Sequence, residues 1–346
     1  MIYGSASEQY ARVWDYGKAV IRYNLDSGVY VVVDGVNKPE PPIFMRIYIC
    51  LAPLRAGFNK RCRPLIGLDE CNLKEAYLGQ ILVAIGKDGN NKIFPFAWAT
   101  VEVENKETWY WFLESLKKDL VDITNNLGLT FMSDRQKGLL EAFEQLVPLA
   151  EKRYCFDFEV AMESIKCLLE DAYEYLENIP TRHWSKHAFS NICKSNMLLN
   201  NLCETFNAVI KDARDKPILT QMEWVRKYMM KRNRVKWEAV QKMDGKNMPF
   251  DWDSMCVHGF ACILDKRVDL DDYVDAYYSR ATYILAYEDA IKPIPCPKHW
   301  EKIDLRKSLP PQVRVMLGRP KSKKMKLEKG EGAPNSKETQ PKLHKF

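Results

Sequence analysis

Features that would assign the chain to a membrane or secreted class are missing from its 346 residues. No window approaches the roughly 18 consecutive apolar residues of a membrane-spanning helix. The opening segment, MIYGSASEQYARVW, lacks the basic flank and apolar run of a signal peptide. The ten cysteines include no C-x-x-C pair, so neither a disulfide framework nor a zinc ribbon is indicated. The sequence therefore predicts a globular intracellular protein with mostly buried thiols and no membrane partner.

Positive charge is concentrated at one end of the chain. The formal net charge is +6, yet residues 306–346 contain twelve Lys or Arg against three Glu. This segment is rich in Lys, Pro, Gly and Ser and poor in large apolar residues, which is typical of disorder. Clustered cations of this kind can contact the phosphates of a nucleic acid. A solvated flexible end without a partner is the alternative interpretation.

Strand and helix patterns follow one another in a recognisable order. After an initial helix and two strand segments, PLIGLD, GQILVAIGKDG and KIFPFAWATVEVE are typical of three antiparallel strands. We expect Asp88, Gly89 and Asn90 to supply the positive φ angles of the hairpin that joins the last two. A helix, the strand LTFMSD, a second helix and the short strand EKRYC come next, and the pattern is then almost wholly helical to about residue 243.

This order predicts an α/β fold with a ribonuclease-H-like mixed sheet and flanking helices, followed by a helical region and a disordered basic tail. We divide the chain into an N-terminal helix and strand region at 1–60, the ribonuclease-H-like domain at 61–240, a further region at 241–305 and the tail at 306–346. In such a sheet the fourth strand lies beside the first. Asp69 ends the first of these strands and Asp134 ends the fourth, so we expect both carboxylates at one sheet edge.

Two carboxylates at a strand edge form half of a two-metal site, in which cations activate water and stabilise the leaving oxygen of a phosphodiester. Hard oxygen ligands suit Mg²⁺ or Mn²⁺. Glu204 is the candidate third acid, because in NMLLNNLCETFNAVI it shares a helix face with Asn207 and Lys211, opposite an apolar stripe. The alternative is that the two aspartates cap turns and Glu204 is a solvated helix charge.

Several of these motifs, in the same order, resemble plant Mutator-like element (MULE) transposases over about residues 8–320. The motifs include GLDECNLKEAYLGQ, FMSDRQKGLLEAF and HWSKHAFS, followed by NMLLNNLCETFN. The resemblance implies a DDE transposase that cleaves and transfers DNA strands with Mg²⁺. Its first, second and third acids would be Asp69, Asp134 and Glu204.

The sequence also departs from the family pattern. Phe158 stands where the family has the His of a C-x-x-H pair, and only 69 residues separate Asp134 from Glu204, so a block of inserted helices is missing. Family members resemble proteins with a C-terminal SWIM zinc finger, but here Cys256 and His258 remain without a preceding C-x-C. Two ligands do not complete a tetrahedral Zn²⁺ site, and the alternative is that both are remnants packed in a small helical unit. We therefore expect impaired activity.

The tail contains LGRPKSKKMK, which resembles an AT-hook core that enters the minor groove of A·T-rich DNA. Its candidate DNA-binding residues are Arg319, Pro320, Lys321, Lys323 and Lys324. A Lys-rich run can also act as a nuclear localisation signal, so we expect a nuclear protein whose partner is double-stranded DNA. The sequence leaves open whether copies form a homo-oligomer. Two alternatives remain: a domesticated, non-catalytic protein that binds DNA or regulates transcription, and an inactive remnant of an element.

Overall fold

The computed structural model describes residues 3–75, 77, 79–120, 129–134, 136–148, 150–154, 201–248, 257–267 and 276–311. The strands are β1 (Gly28–Asp34), β2 (Ile43–Cys50), β3 (Leu65–Asn72), β4 (Gln80–Lys87), β5 (Ile93–Val101), β6 (Thr130–Ser133) and β7 (Glu151–Tyr154). The α-helices are α1 (Ala6–Tyr10), α2 (Val13–Tyr23), α3 (Ala52–Arg61), α4 (Lys106–Asp119), α5 (Lys137–Leu146), α6 (Asn201–Val209), α7 (Ile218–Gln241), α8 (Val257–Asp265) and α9 (Arg280–Tyr287). Short 3₁₀ turns span Ile210–Ala213, Ala276–Tyr278 and Pro297–His299.

One seven-stranded sheet organises the fold, in the order β1-β2-β5-β4-β3-β6-β7. Strands β3, β4 and β5 pair antiparallel, whereas β6 is parallel to β3 and β7 is parallel to β6. This is the predicted ribonuclease-H-like arrangement, with the fourth strand beside the first, so the predicted fold class is confirmed. The N-terminal strands β2 and β1 extend the same sheet beyond β5.

Helices cover both faces of the sheet. Helix α4 packs against β1, β2 and β5, while α6 packs against β3, β4 and β5. Successive side chains of a strand point to opposite faces of the sheet, so one strand can contact α4 on one face and α6 on the other. Trp98 of β5 is buried and its indole N–H points to the sulfur of Met222 on α7. The face that carries Trp98 is therefore the face on which α6 and α7 lie.

The β4–β5 hairpin forms as predicted, but its unusual backbone angle lies elsewhere than expected. Asp88 is fully buried, and one of its carboxylate oxygens accepts hydrogen bonds from the backbone N–H groups of Asn90 and Lys92. The residue with positive φ is Asn91, at 56°. Asp88, Gly89 and Asn90 do not supply it, so that detail of the prediction was wrong. The hydrogen bonds to the Asp88 side chain close the turn over residues 88–92.

Residues Met1–Val313 form one compact unit. Within the parts of the chain that the structure describes, every helix is too short or too polar to traverse a bilayer. Of the predicted tail at 306–346, residues 306–311 are described, with Leu309 bridged to Ile43 of β2. The rest of the tail, from residue 312, and the segment 155–200 lie outside the described residues. The predicted domain boundaries stay predictions.

Candidate functional site

The register of the central strands places Asp69 and Asp134 side by side. Strand β3 pairs with β6 from Leu65 opposite Thr130 to Gly67 opposite Met132. Each aspartate lies two residues beyond that last pair on its own strand. Because neighbouring strands are about 4.8 Å apart, the two positions are adjacent at the C-terminal end of β6. Asp69 also stands opposite Val83 of β4, which is paired with Trp98, so it belongs to the face covered by α6.

Asp134 stands where the chain leaves the sheet to enter α5. Its carboxylate accepts a hydrogen bond from the backbone N–H of Gln136, which favours the ionised form, although burial raises the pKa of Asp134 overall. Its carbonyl oxygen accepts a hydrogen bond of 2.8 Å from the hydroxyl of Ser133. The turn contact agrees with the alternative role considered for this residue.

Helix α6 contributes Asn207 to the site, next to Asp69 of β3. The amide nitrogen Nδ2 of Asn207 donates to Oδ2 of Asp69 at 2.9 Å and to the carbonyl oxygen of Glu70 at 3.2 Å. Buried Cys203, Phe206 and Ile210 hold the helix segment against the sheet, on the stripe that the sequence indicated. Glu204 lies one helical turn before Asn207 and its side chain is exposed.

Two further acids, Glu70 and Glu104, belong to the same site. Burial, together with the nearby negative charges of Glu70 and Asp134, raises the pKa of Asp69 to about 7. Burial and Asp134 likewise raise the pKa of Glu70. Glu104 accepts a hydrogen bond from Nε1 of Trp109 at 3.0 Å, and burial, Glu70 and Asp134 raise its pKa. The site therefore concentrates negative charge that the described residues do not neutralise, a situation that a bound cation would relieve.

Sequence reasoning missed Glu70 and Glu104 as members of this site. Glu70 directly follows Asp69, and a strand sends consecutive side chains to opposite faces, so strand alternation places only one of the pair on the side of the site. Strand β6 ends at Ser133, and among the described strands none pairs with Asp69 or Glu70 on that side. The signal that could have identified Glu104 is its place in the short loop between β5, which ends at Val101, and Asn105, the N-cap of α4.

The donor set partly fits a divalent cation. Oε2 of Glu70 and Oδ1 of Asn207 are buried and find no hydrogen-bond partner among the described residues, so oxygen donors remain available beside Asp69 and Asp134. Mg²⁺ is commonly held by one or two carboxylates, with substrate phosphates completing its coordination. The described residues contain no group of three His, Cys, Asp or Glu arranged to hold a metal ion. The structure therefore brings together Asp69 and Asp134, without adding Glu204 as a third carboxylate.

The other predicted site residues fall mostly outside the described parts of the chain. Cys256 and the tail residues from Arg319 to Lys324 lie in undescribed segments. His258 is the second residue of α8, and its side chain is not described. The roles assigned to these residues, like the catalytic roles of Asp69, Asp134 and Glu204, stay predictions.

The raised pKa of Asp69 predicts a specific pH dependence of stability in the metal-free protein. An unfolded aspartate has a pKa of about 3.9, so between about pH 4 and pH 7 the folded state binds a proton that the unfolded state releases. The free energy of unfolding should therefore fall as the pH rises through this window. Asp69→Asn removes the titrating group, so urea denaturation with a chelator should show the variant gaining on the parent protein from pH 4 to pH 8. An equal pH dependence of both proteins would contradict the assigned environment of Asp69.

Comparison with known proteins adds one match. A family model described as the MULE transposase domain matches residues 65–162, which begin at the first residue of β3 and include β3 to β7. Asp69 and Asp134 both lie inside the matched segment, whereas Asn207 and Glu204 lie beyond it. No curated protein matches the chain significantly.

Proposed function

We propose that this chain, whose residues 65–162 match a family model described as the MULE transposase domain, is a transposase-derived protein. It would bind double-stranded DNA and present a divalent cation to it at the acidic site. Asp69 and Asp134 would hold the cation, with Mg²⁺ or Mn²⁺ as the expected ion. We further propose that phosphodiester cleavage is retained at a reduced rate. The shortened segment between Asp134 and Glu204 is the reason for expecting impairment.

The observation that carries the proposal is the parallel register of β3 and β6, which aligns Asp69 with Asp134. Two carboxylates at neighbouring positions on adjacent strands repel each other when no cation lies between them. Burial and the negative charges of Glu70 and Asp134 raise the pKa of Asp69, which reflects the cost of ionising it beside other acids. A structural role for Asp134 in the turn accounts for the hydrogen bond that it accepts from Gln136, but not for the half-buried Asp69 beside it. Ligand sites at strand ends are also usual in α/β folds.

The side chains around the two aspartates have separable tasks. Asn207 donates to Oδ2 of Asp69, which fixes the orientation of that carboxylate. When bound, a divalent cation would activate a water molecule and stabilise the leaving oxygen of a phosphodiester. Glu204 is proposed to join the site from α6 only when DNA is present, because its side chain is exposed in this structure.

The tail residues Arg319, Pro320, Lys321, Lys323 and Lys324 are proposed to add non-specific affinity through phosphate and minor-groove contacts. A Lys-rich segment of this kind would also direct the protein to the nucleus. Both proposals rest on the sequence alone. They can be tested separately from the acidic site, since deletion of residues 312–346 leaves Asp69, Asp134 and Asn207 in place.

The direct test is incubation of the purified full chain with labelled duplex DNA, including element terminal repeats, in Mn²⁺. We expect retention of the duplex, slow nicking, and little strand transfer. Asp69→Asn should remove the nicking while DNA retention persists. The matched control is Asp289→Asn, which changes an exposed acid paired with Lys60. Nicking that persists in Asp69→Asn, or a chain that retains no DNA at low salt, would contradict the proposal. Retention without nicking in any metal would favour the non-catalytic alternative.

A further inference from the structure

Three cationic residues border the acidic site at the end of β3. Lys74, Lys211 and Arg214 are here called the basic rim. Nε of Arg214 donates to the carbonyl oxygen of Asn72 at 2.6 Å, and the carbonyl oxygen of Arg214 accepts from the backbone N–H of Lys74 at 2.8 Å. These two hydrogen bonds hold the segment after α6 against the last residue of β3. The rim is therefore attached to the same strand that carries Asp69.

The basic rim and the acidic site are positioned by one continuous piece of structure. Lys211 follows Asn207 by four residues, where α6 passes into the 3₁₀ turn Ile210–Ala213. Asn207 contacts Asp69 and the carbonyl of Glu70 at one end of this piece, and Arg214 contacts Asn72 at the other. The distance between acids and cations is thus set by backbone contacts on both sides.

The acidic site and the basic rim lie close together on one strand. Asn72, whose carbonyl oxygen accepts from Arg214, is only three residues beyond Asp69 in β3. Members of both groups therefore lie along the same short stretch of backbone. A negative site edged with positive charge is suited to a phosphodiester, because its cation and its phosphate contacts need opposite protein charges.

The cations of the basic rim are available for a ligand. Among the described residues, none of the three forms an ion pair with a carboxylate, whereas nearby Lys216 pairs with Asp215 and Lys227 with Glu223. Lys74 and Lys211 are exposed. Among the described residues, Arg214 donates a side-chain hydrogen bond through Nε and not through its two terminal nitrogens. Those two nitrogens of the planar guanidinium can therefore donate to phosphate oxygens.

We infer that the basic rim binds backbone phosphates of duplex DNA next to the acidic site, without reading the base sequence. This inference rests on the proposed function for the identity of the ligand as DNA. Arg214 would make the directional contact, since its guanidinium is already oriented by Asn72. Lys74 and Lys211 would act as point charges on either side. Because these contacts involve phosphates and not bases, they should contribute equally on unrelated sequences.

The test measures DNA affinity of the full chain as a function of salt, with a chelator present to exclude divalent cations. Two labelled duplexes of unrelated sequence serve as probes. Each phosphate contact contributes about 0.9 to the slope of log affinity against log salt. Lys74→Gln and Lys211→Gln should therefore each reduce the magnitude of the slope by about 0.9, and together by about 1.8, on both duplexes. Lys298→Gln, which removes an exposed lysine of the turn Pro297–His299, is the matched control and should leave the slope unchanged.

An unchanged slope in the Lys74→Gln, Lys211→Gln double variant, with thermal unfolding equal to that of the parent protein, would overturn the inference. So would a loss confined to one of the two duplexes, since that would indicate base recognition. Arg214→Lys keeps the charge but loses the fork, and should weaken binding without lowering the slope by a full contact. The chelator separates this experiment from the proposed function: normal rim slopes with no Mn²⁺-dependent nicking would overturn only the cleavage proposal.

Discussion

Replacing Asp69 and Asp134 together by asparagine is expected to raise the dissociation constant of the folded chain for Mn²⁺ by more than about a hundredfold. Loss of a residue that only orients a metal ligand typically costs 10- to 100-fold in affinity, and this double variant removes both charged ligands. The parent protein should be stabilised by about 2.7 kcal/mol when Mn²⁺ is present at about 100 times its dissociation constant. Denaturant unfolding with and without Mn²⁺ measures both quantities.

The asparagines keep the size and the hydrogen-bonding capacity of the carboxylates, so the fold should persist. Without metal, the double variant should be at least as stable as the parent protein at pH 8, because it lacks two acids whose burial raises their pKa values. Asp289→Asn supplies the control for a lost surface charge. Undiminished Mn²⁺ stabilisation in the double variant would place the metal site elsewhere in the chain.

The strand order could be predicted because it depends on information that each segment carries alone. Each of these elements is indicated by its own pattern: apolar runs for β3, β4, β5 and β6, and helical spacing for the helix after β5. The order of these elements along the chain is compatible with few sheet topologies. The attachment of β1 and β2 to the β5 edge was not predictable in this way. The pairing of Ile47 with Thr100 depends on which edge of the central sheet is left unpaired. The spacing of apolar residues along a strand does not reveal this.

The composition of the acidic site shows a second limit. The prediction that Asp69 ends its strand was wrong, because β3 continues to Asn72 and Asp69 is its fifth residue. The predicted pairing of the first and fourth strands nevertheless places Asp69 beside Asp134. Trp109 donates to the carboxylate of Glu104 and orients it. In the basic rim, Arg214 reaches Asn72 after the 3₁₀ turn that follows α6. Contacts of this kind depend on side-chain geometry between distant segments. The spacing of apolar residues in the sequence does not predict such contacts.

A buried ion pair that joins the N-terminal helices to the rest of the fold predicts the largest stability change. Glu223 of α7 is 3% exposed and Arg226 is 1% exposed. Arg226 binds both carboxylate oxygens of Glu223 through Nε and Nη2, and Tyr16 of α2 donates to the same carboxylate at 3.3 Å. Nη1 of Arg226 donates to the carbonyl oxygen of Lys292 at 3.1 Å. One carboxylate thus organises donors from two helices, and its guanidinium partner reaches a third segment.

Glu223→Leu is expected to lower the free energy of unfolding by about 3–5 kcal/mol, because it leaves the Arg226 guanidinium buried without a counter-ion. Adding Arg226→Met should recover at least half of that loss, since an apolar pair of similar volume removes the uncompensated charge. The hydroxyl of Tyr16 and the carbonyl of Lys292 would still lack their partners, which prevents full recovery. Urea denaturation of both single variants and the double variant gives the coupling energy of the pair. Losses that simply add would show that the two charges do not depend on each other, and would contradict the prediction.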